Sequence, residues 1–228
     1  MFGQFKQRSY KLERLDTGDY TLAEYARWHR EMWFIHRIFG ELRALRGSLF
    51  KTIQRSGNAT VSILDVGAGA GELLCELRKW TADRDAFLVG AEISTDATVV
   101  MRKAKLNVVQ CDALRLPFAD SSFDYVFCSL FLHHLGDEAA VELLREMSRV
   151  ASGRIFVIDL NRHPTAYYFY KFIVGLFLQR FTRDDGALSI LRSFTPEEML
   201  ELAKKAGLSD VKVERSKANR LILSGRQQ

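Results

Sequence analysis

The sequence predicts an α/β fold with a doubly wound, mainly parallel sheet. From Val61 onward, short apolar runs alternate with segments of helical periodicity, which is typical of parallel strands joined by crossover helices. These runs are apolar on both faces, so helices should cover both sides of the sheet. With 228 residues and 47% hydrophobic content, the chain is long enough for one such domain and short for two.

Seven apolar runs account for the strands. The first five are the parallel ones, and the last two read as a hairpin-like ending. We expect strands at 61–67, 87–93, 106–112, 123–130, 154–160, 211–215 and 221–224. Helices are expected at 73–80, 97–104 and 138–150, and a further helix is capped by Thr195 and ends at Gly207.

The N-terminal part predicts a helical extension. Apolar residues recur at steps of three and four over residues 21–50, and Thr21 with Glu24 forms a capping-box pair at the start. Gly40 and Gly47 each weaken the helix by about 1 kcal/mol, so we expect a break or bend near one of them.

Composition narrows the functional classes. No run approaches the roughly 20 apolar residues of a membrane span, and the start lacks the features of a signal peptide, so a cytoplasmic location is expected. Cys75, Cys111 and Cys128 have neither disulfide nor zinc spacing. Basic residues prevail in the N- and C-terminal parts of the chain and acidic residues in the centre. This distribution suits binding of an anionic acceptor, a membrane surface or RNA, and it also occurs without functional meaning.

A glycine-rich loop is the strongest chemical signal. The run Asp65-Val66-Gly67-Ala68-Gly69-Ala70-Gly71 follows a buried strand and opens a helix, at the edge where open α/β sheets bind ligands. Glu72 stands where a dinucleotide fingerprint needs glycine, and its carboxylate would repel a diphosphate. The pattern therefore predicts a ligand without phosphate.

This loop resembles the first motif of the class I S-adenosylmethionine-dependent methyltransferases: acidic, apolar, Gly, x, Gly, x, Gly. The resemblance implies a Rossmann-like sheet of seven strands. It also implies that Asp65, Gly67, Gly69 and Gly71 hold the methionine part of S-adenosyl-L-methionine, whose product is S-adenosyl-L-homocysteine.

Acidic residues after the next two strands extend the resemblance. Glu92 follows the second strand and is placed to accept hydrogen bonds from both ribose hydroxyls. The family has an acidic residue after the third strand that faces the adenine, which implies that role for Asp112, with Ala113 near the ring. Ser129, at the end of the fourth strand, is a further cofactor-binding candidate.

The runs 112–118 and 122–127, "DALRLPF" and "SFDYVF", resemble the quinone-biosynthesis methyltransferases, over roughly 63–157. After the fourth strand come His133 and His134. His133 is the candidate general base, although a histidine at a helix start is often only packed or capping. Rival polar groups on the acceptor side are Asp159, Asn161 and His163.

The acceptor must be inferred from the aromatic-rich segment 163–181. Three interpretations of this segment are open. It is an apolar wall for a lipophilic acceptor, an amphipathic surface helix, or a helix packed on the core or on a second subunit. On the first interpretation Tyr168 and Phe172 contact the acceptor, the polar turn 182–186 closes over it, and Arg183 or Arg192 binds an anionic group.

We expect a single domain, 1–228: an N-terminal helical extension (1–57), a cofactor-binding core (58–160), a lid or acceptor insertion (161–194), and a C-terminal helix with a hairpin (195–228). The expected reaction is methyl transfer to a polyketide, phenol, quinone or isoprenoid-like acceptor. The alternatives are an RNA or protein methyltransferase and a non-catalytic cofactor-binding partner. No metal and no nucleic acid are expected, while a homodimer and a peripheral membrane contact stay open.

Overall fold

The computed structural model describes residues 3–217 and 219–228, except for the side chains of His29 and His36. The described residues form seven strands: β1 (Thr60–Val66), β2 (Asp85–Glu92), β3 (Asn107–Gln110), β4 (Phe123–Ser129), β5 (Ala151–Leu160), β6 (Leu208–Ser216) and β7 (Arg220–Gln227). These strands form one sheet in the order β3-β2-β1-β4-β5-β7-β6. Strands β1 to β5 run parallel, and β7 lies antiparallel between β5 and β6.

Helices flank the sheet on both faces, as predicted. They are α1 (Arg14–Thr17), α2 (Leu22–Ile38), α3 (Glu41–Leu45), α4 (Lys51–Ser56), α5 (Glu72–Trp80), α6 (Thr95–Lys103), α7 (Asp137–Val150), α8 (Pro164–Phe172), α9 (Arg180–Arg192) and α10 (Pro196–Lys205). Alternate residues of the strands enter two separate cores. Val126 packs with Leu144 of α7 on one face, and Phe127 packs with Leu74 of α5 and Met101 of α6 on the other.

The N-terminal extension breaks at the first of the two candidate glycines. Gly40 has a φ of 80° between α2 and α3, whereas Gly47 lies inside a π-helical turn, Arg46–Phe50, that continues into α4. The capping box is present: Thr21 N donates to Glu24 Oε2 at 2.8 Å, and Glu24 N donates to Thr21 Oγ1 at 3.2 Å.

The prediction of a polar turn at 182–186 is wrong, because these residues lie inside helix α9. Asp185 is buried and accepts hydrogen bonds from the backbone N–H groups of Arg14 and Leu15, at 3.1 and 3.0 Å. The helix continues through Gly186. A Cβ at this position would collide with the ring of Tyr170, so the glycine allows this ring to pack against the helix. Tertiary packing thus outweighs the low helix propensity of glycine.

The N-terminal extension and the insertion after β5 pack together. Phe5 and Ile35 from the first share a hydrophobic cluster with Tyr167, Tyr170 and Ile190 from the second. We call residues 3–45 and 161–194 together the cap, because both line the cavity described below. In the part of the chain that the structure describes, no helix is long and apolar enough to cross a membrane.

Candidate active site

A cavity of about 780 Å³ lies between the cap and the carboxyl edge of the parallel strands. Its volume falls within the roughly 300–1,000 Å³ of small-molecule sites. The sheet edge contributes polar residues and the cap contributes mainly apolar ones. From the edge come Asp65, Gly67, Gly69, Glu92, Ser129 and His133, and from the cap come Tyr25, Trp28, Phe39, Phe169, Tyr170 and Ile190.

The three glycines of the loop after β1 have different physical roles. All have positive φ, at 71° for Gly67, 54° for Gly69 and 82° for Gly71. A Cβ on Gly67 would lie 2.8 Å from the Phe131 ring, and one on Gly71 would lie 2.6 Å from Leu106. Among the residues that the structure describes, none has an atom within 4 Å of a Cβ on Gly69. Gly69 therefore leaves main chain open to a ligand, whereas Gly71, which does not line the cavity, permits close helix packing.

The loop holds Glu92 in place. Gly69 N donates to Glu92 Oε2 and Ser94 N donates to Glu92 Oε1, both at 2.9 Å. Each carboxylate oxygen keeps a further acceptor site, because it has two lone pairs. Glu92 can thus accept hydrogen bonds from a diol in the cavity, as the ribose assignment requires.

Carboxyl groups accumulate beside the loop. Asp65 is fully buried, and its burial together with the charges of Glu41, Glu92 and Glu72 raises its pKa well above the ordinary value. Ser129 Oγ donates to Glu41 Oε1 at 2.6 Å. A ligand that carries an ammonium and a sulfonium would relieve this repulsion, and a diphosphate would increase it. The residues present therefore fit S-adenosylmethionine.

The predicted adenine residues lie outside the cavity lining. Asp112 is exposed, and its Oδ1 accepts a hydrogen bond from Leu114 N at 2.9 Å. Ala113 packs against the core. Both follow β3, which pairs with β2 beside Glu92. Their contact with an adenine stays a prediction.

His133 forms a buried pair with Asp159. Its Nδ1 lies 2.7 Å from Asp159 Oδ1, and its backbone N–H donates to Asp159 Oδ2 at 3.0 Å. Burial would raise the pKa of Asp159, but the charge and hydrogen bonds of His133 hold it below the ordinary value. Because Asp159 accepts at Nδ1, the ring is oriented with Nε2 as the atom able to take up a proton.

A third titratable group, Glu13, faces this pair. His133 Nε2 lies 4.0 Å from Glu13 Oε1, which also accepts a hydrogen bond from Ser189 Oγ at 2.9 Å. Burial raises the pKa of Glu13 to about 7, against the opposing effects of His134 and other neighbours. No sequence pattern marks Glu13, because it lies in an irregular N-terminal stretch far from the motifs.

Glu13, His133 and His134 form a grouping of metal-ligand type, with atoms within 4.8 Å of one another. The Arg192 guanidinium lies 3.9 Å from Glu13 Oε1. A resident cation would have to overcome the repulsion of this guanidinium. This repulsion supports the expectation that the protein holds no metal, which stays a prediction.

The structure does not bring the four predicted acceptor residues into the cavity lining. Tyr168 stacks on Phe172, which is 57% exposed. Arg183 pairs with its neighbour Asp184, and Arg192 is buried with Nη2 donating to the carbonyl of His134 at 2.8 Å. The face of α8 toward the cavity instead carries Ala166, Phe169 and Tyr170. Since both faces of α8 are aromatic, its sequence could not indicate which one turns inward.

The three rival polar groups, Asp159, Asn161 and His163, lie outside the cavity lining, and Asp159 is the buried partner of His133. His163 caps α8 by accepting a hydrogen bond from Thr165 N. Several lining residues were not predicted, among them Glu41, Leu130 and Arg220. Leu130 has a φ of 51°, a conformation that costs a non-glycine residue about 1–2 kcal/mol and that shapes the turn after β4.

This chain is similar to known methyltransferases in sequence and in fold. A family model described as a methyltransferase domain matches residues 63–153. A demethylmenaquinone methyltransferase of Roseiflexus sp. (strain RS-1) is 35% identical over 169 residues, covering 65% of this chain and 68% of the relative. A ubiquinone biosynthesis O-methyltransferase of Pseudomonas paraeruginosa is 29% identical over 190 residues, covering 79% of this chain and 77% of the relative.

A similar fold occurs in a solved structure, that of the plantazolicin methyltransferase BpumL in complex with S-adenosylhomocysteine. Its TM-score is 0.69 at 16% identity, covering 88% of this chain and 90% of that one. The chain therefore belongs to the class I S-adenosylmethionine-dependent methyltransferases.

Proposed function

We propose that this enzyme methylates a small, lipophilic acceptor of the polyketide, phenol, quinone or isoprenoid-like kind. The observation that carries the proposal is the position of His133, which lines the same cavity as the glycine loop and is paired with the buried Asp159. The two sequence relatives are named as methyltransferases of menaquinone and ubiquinone biosynthesis, which favours this acceptor class. The apolar wall formed by the cap favours it independently.

Asp65, Gly67, Gly69 and Ser129 would hold the methionine part of the cofactor, and Glu92 would hold the ribose. When bound, S-adenosylmethionine supplies a methyl group on a sulfonium, which is already activated for in-line displacement. The contribution of the protein is chiefly alignment, which can lower a barrier by about 7–11 kcal/mol in favourable cases. Asp112 and Ala113 would flank the adenine from β3.

His133 Nε2 would take the proton from an acceptor hydroxyl or carbon, with Asp159 holding the imidazole through Nδ1. His133 is 3% exposed, so bulk water has little access to the group that moves the proton. Glu13 Oε1, 4.0 Å from Nε2, places a second carboxyl group beside the proton-accepting atom.

The enclosure of His133 argues for a small acceptor and against RNA or a folded protein. The cap covers the cavity from two sides, and Arg8 and Arg192 fasten it by donating to the carbonyl oxygen of His133 at 3.2 and 3.3 Å. A polymer would have to displace these buried contacts to reach Nε2. No observation favours the non-catalytic alternative, since the candidate base is present and oriented.

The outer face of the cap would contact a membrane surface that supplies the acceptor. Phe172, Ile173, Leu176 and Phe177 are more than half exposed beside Lys171, a composition suited to an anionic lipid surface. A homodimer through the same face is the competing arrangement.

A cytoplasmic location is also part of the proposed function. The free cysteines at positions 75, 111 and 128 support it, because a reducing compartment keeps thiols unpaired.

Phe169 and Phe172 form a matched pair for testing the acceptor wall. Both are about half exposed, but only Phe169 lines the cavity. With a panel of phenols and quinols, Phe169→Ser should raise the acceptor KM about tenfold through lost apolar contact, with unchanged affinity for S-adenosylhomocysteine. Phe172→Ser should leave KM unchanged and weaken flotation with anionic vesicles. Equal KM increases in the two variants would refute this wall, and unchanged flotation combined with a lost dimer would favour the subunit interface.

A further inference from the structure

Arg220 is a buried cation in the cavity wall that the methyl-transfer scheme does not use. It is 4% exposed and lines the cavity. Its Nε has no hydrogen-bond partner among residues 3–217 and 219–228. A buried guanidinium is costly unless its donors are satisfied, so an unpaired donor beside a cavity indicates a ligand that pairs with it.

The topology brings Arg220 to the ligand-binding edge. It is the first residue of β7, which runs antiparallel to β5, and it stands opposite Leu160, the last residue of β5. Ile222, two residues along the strand, enters the same core as Leu45 of α3. Because side chains alternate along a strand, Arg220 lies on the α3 face of the sheet, beneath the cap.

Arg220 lies on the side of the cavity away from the proposed cofactor residues. Those residues belong to β2, β1 and β4, whereas Arg220 lies two strands beyond β4 in the sheet order. At about 4.8 Å per strand, this separation is on the order of 10 Å. The strand between them, β5, carries Asp159, the partner of the candidate base.

The charges around Arg220 favour a singly charged ligand. Burial lowers the pKa of its guanidinium, and Glu41 and Asp159 partly oppose that effect. These two carboxyl groups limit how much negative charge the position accepts, which disfavours a phosphate dianion. Nε and the neighbouring Nη present two parallel N–H groups, a spacing that matches the two oxygens of a carboxylate.

We propose that Arg220 binds a carboxylate carried by the apolar acceptor. This inference rests on the proposed function and adds an anionic group to its substrate class. It moves the expected anion-binding role from Arg183 and Arg192, which are paired within the protein, to Arg220. The carboxylate would anchor the acceptor at the β7 end, so that the nucleophilic atom lies toward His133.

The probes are 1-naphthoate and its neutral isostere 1-naphthamide, titrated by calorimetry into the enzyme saturated with S-adenosylhomocysteine. The wild-type protein should bind naphthoate at least about tenfold more tightly than naphthamide. Arg220→Met should reduce that preference to less than about twofold, and Arg220→Lys should keep part of it because the charge remains. Arg226→Met, on the same strand but at an exposed ion pair with Asp210, is the matched control and should keep the full preference.

Three results would overturn the proposal. One is equal binding of the two probes by the wild-type protein, and another is a preference that survives in Arg220→Met. The third is weaker binding of S-adenosylhomocysteine, but not of 5′-methylthioadenosine, in Arg220→Met, because Arg220 would then serve the cofactor carboxylate. If Arg220→Met does not fold, Arg220→Gln replaces it under the same criteria. Failure of the proposed function would appear separately, as wild-type enzyme that binds the cofactor but methylates no small molecule.

Discussion

Replacement of His133 by asparagine should lower turnover by about 10²-fold or more, with unchanged affinity for S-adenosylmethionine. The effect follows from the loss of Nε2, the proton acceptor that Asp159 orients through a 2.7 Å contact at Nδ1. Cofactor affinity should not change, since the glycine loop and Glu92 belong to other strands. Turnover is measured with a saturating phenol or quinol acceptor and affinity by calorimetry.

His134 is the matched control because it also lines the cavity, yet its Nδ1 pairs with Asp16 in the cap. His134→Asn should change turnover by less than about threefold. Asp159→Asn should also lower turnover, because the imidazole loses the carboxylate that orients it through Nδ1. A fall of less than threefold in His133→Asn would assign His133 to packing and leave the reaction without this base.

Asp65→Asn should weaken S-adenosylmethionine binding about 10- to 100-fold, as expected for losing a hydrogen bond between charged groups. It should barely affect 5′-methylthioadenosine, which lacks the ammonium that this carboxylate would pair with. Pairing with an ammonium should lower the raised pKa of Asp65, so binding should release protons at pH values between the pKa of the free protein and that of the complex. Calorimetry in buffers of different ionisation enthalpy should therefore detect proton release in the wild type alone.

The same substitution should stabilise the cofactor-free protein. A carboxyl whose pKa is higher in the folded chain than in the unfolded one destabilises the fold increasingly as pH rises above its unfolded value, about 3.9. Asp65 is in this situation, through burial and its carboxylate neighbours. The melting temperature of Asp65→Asn should thus exceed that of the wild type, and the difference should grow with pH. A lower melting temperature together with unchanged cofactor affinity would make Asp65 a structural residue.

The sheet edge of the site was predictable from the sequence, because parallel topology gathers strand ends. A glycine loop after the first strand, an acid after the second and a histidine after the fourth must meet at one edge, whatever the loops between them do. Asp65, Glu92 and His133 therefore lie in the same cavity, as their positions along the chain implied.

The cap side of the site was not predictable, for physical reasons specific to its residues. Glu41 follows a glycine in an amphipathic helical stripe, where a carboxylate normally faces water. In the structure it is buried and accepts a hydrogen bond from Ser129, a contact between distant parts of the chain that the stripe does not indicate. Glu13 lies in a stretch without helical or strand periodicity, so the sequence around it does not indicate that it is part of the site. Arg220 begins a strand, and its burial depends on which strand β7 pairs with. Helix α9 forms through a glycine because Tyr170 packs against it, a contact that no local pattern encodes.

The fate of a labelled methyl group shows whether the enzyme methylates a small lipophilic molecule. Purified enzyme is incubated with S-adenosylmethionine carrying an isotopically labelled methyl, and with a lipid extract, an RNA pool or a protein pool in separate reactions. Label should appear in small molecules extracted into organic solvent, and His133→Asn should lower its amount by about 10²-fold. Label in RNA or protein, or none in any pool while the cofactor binds, would refute methyl transfer to a small lipophilic acceptor.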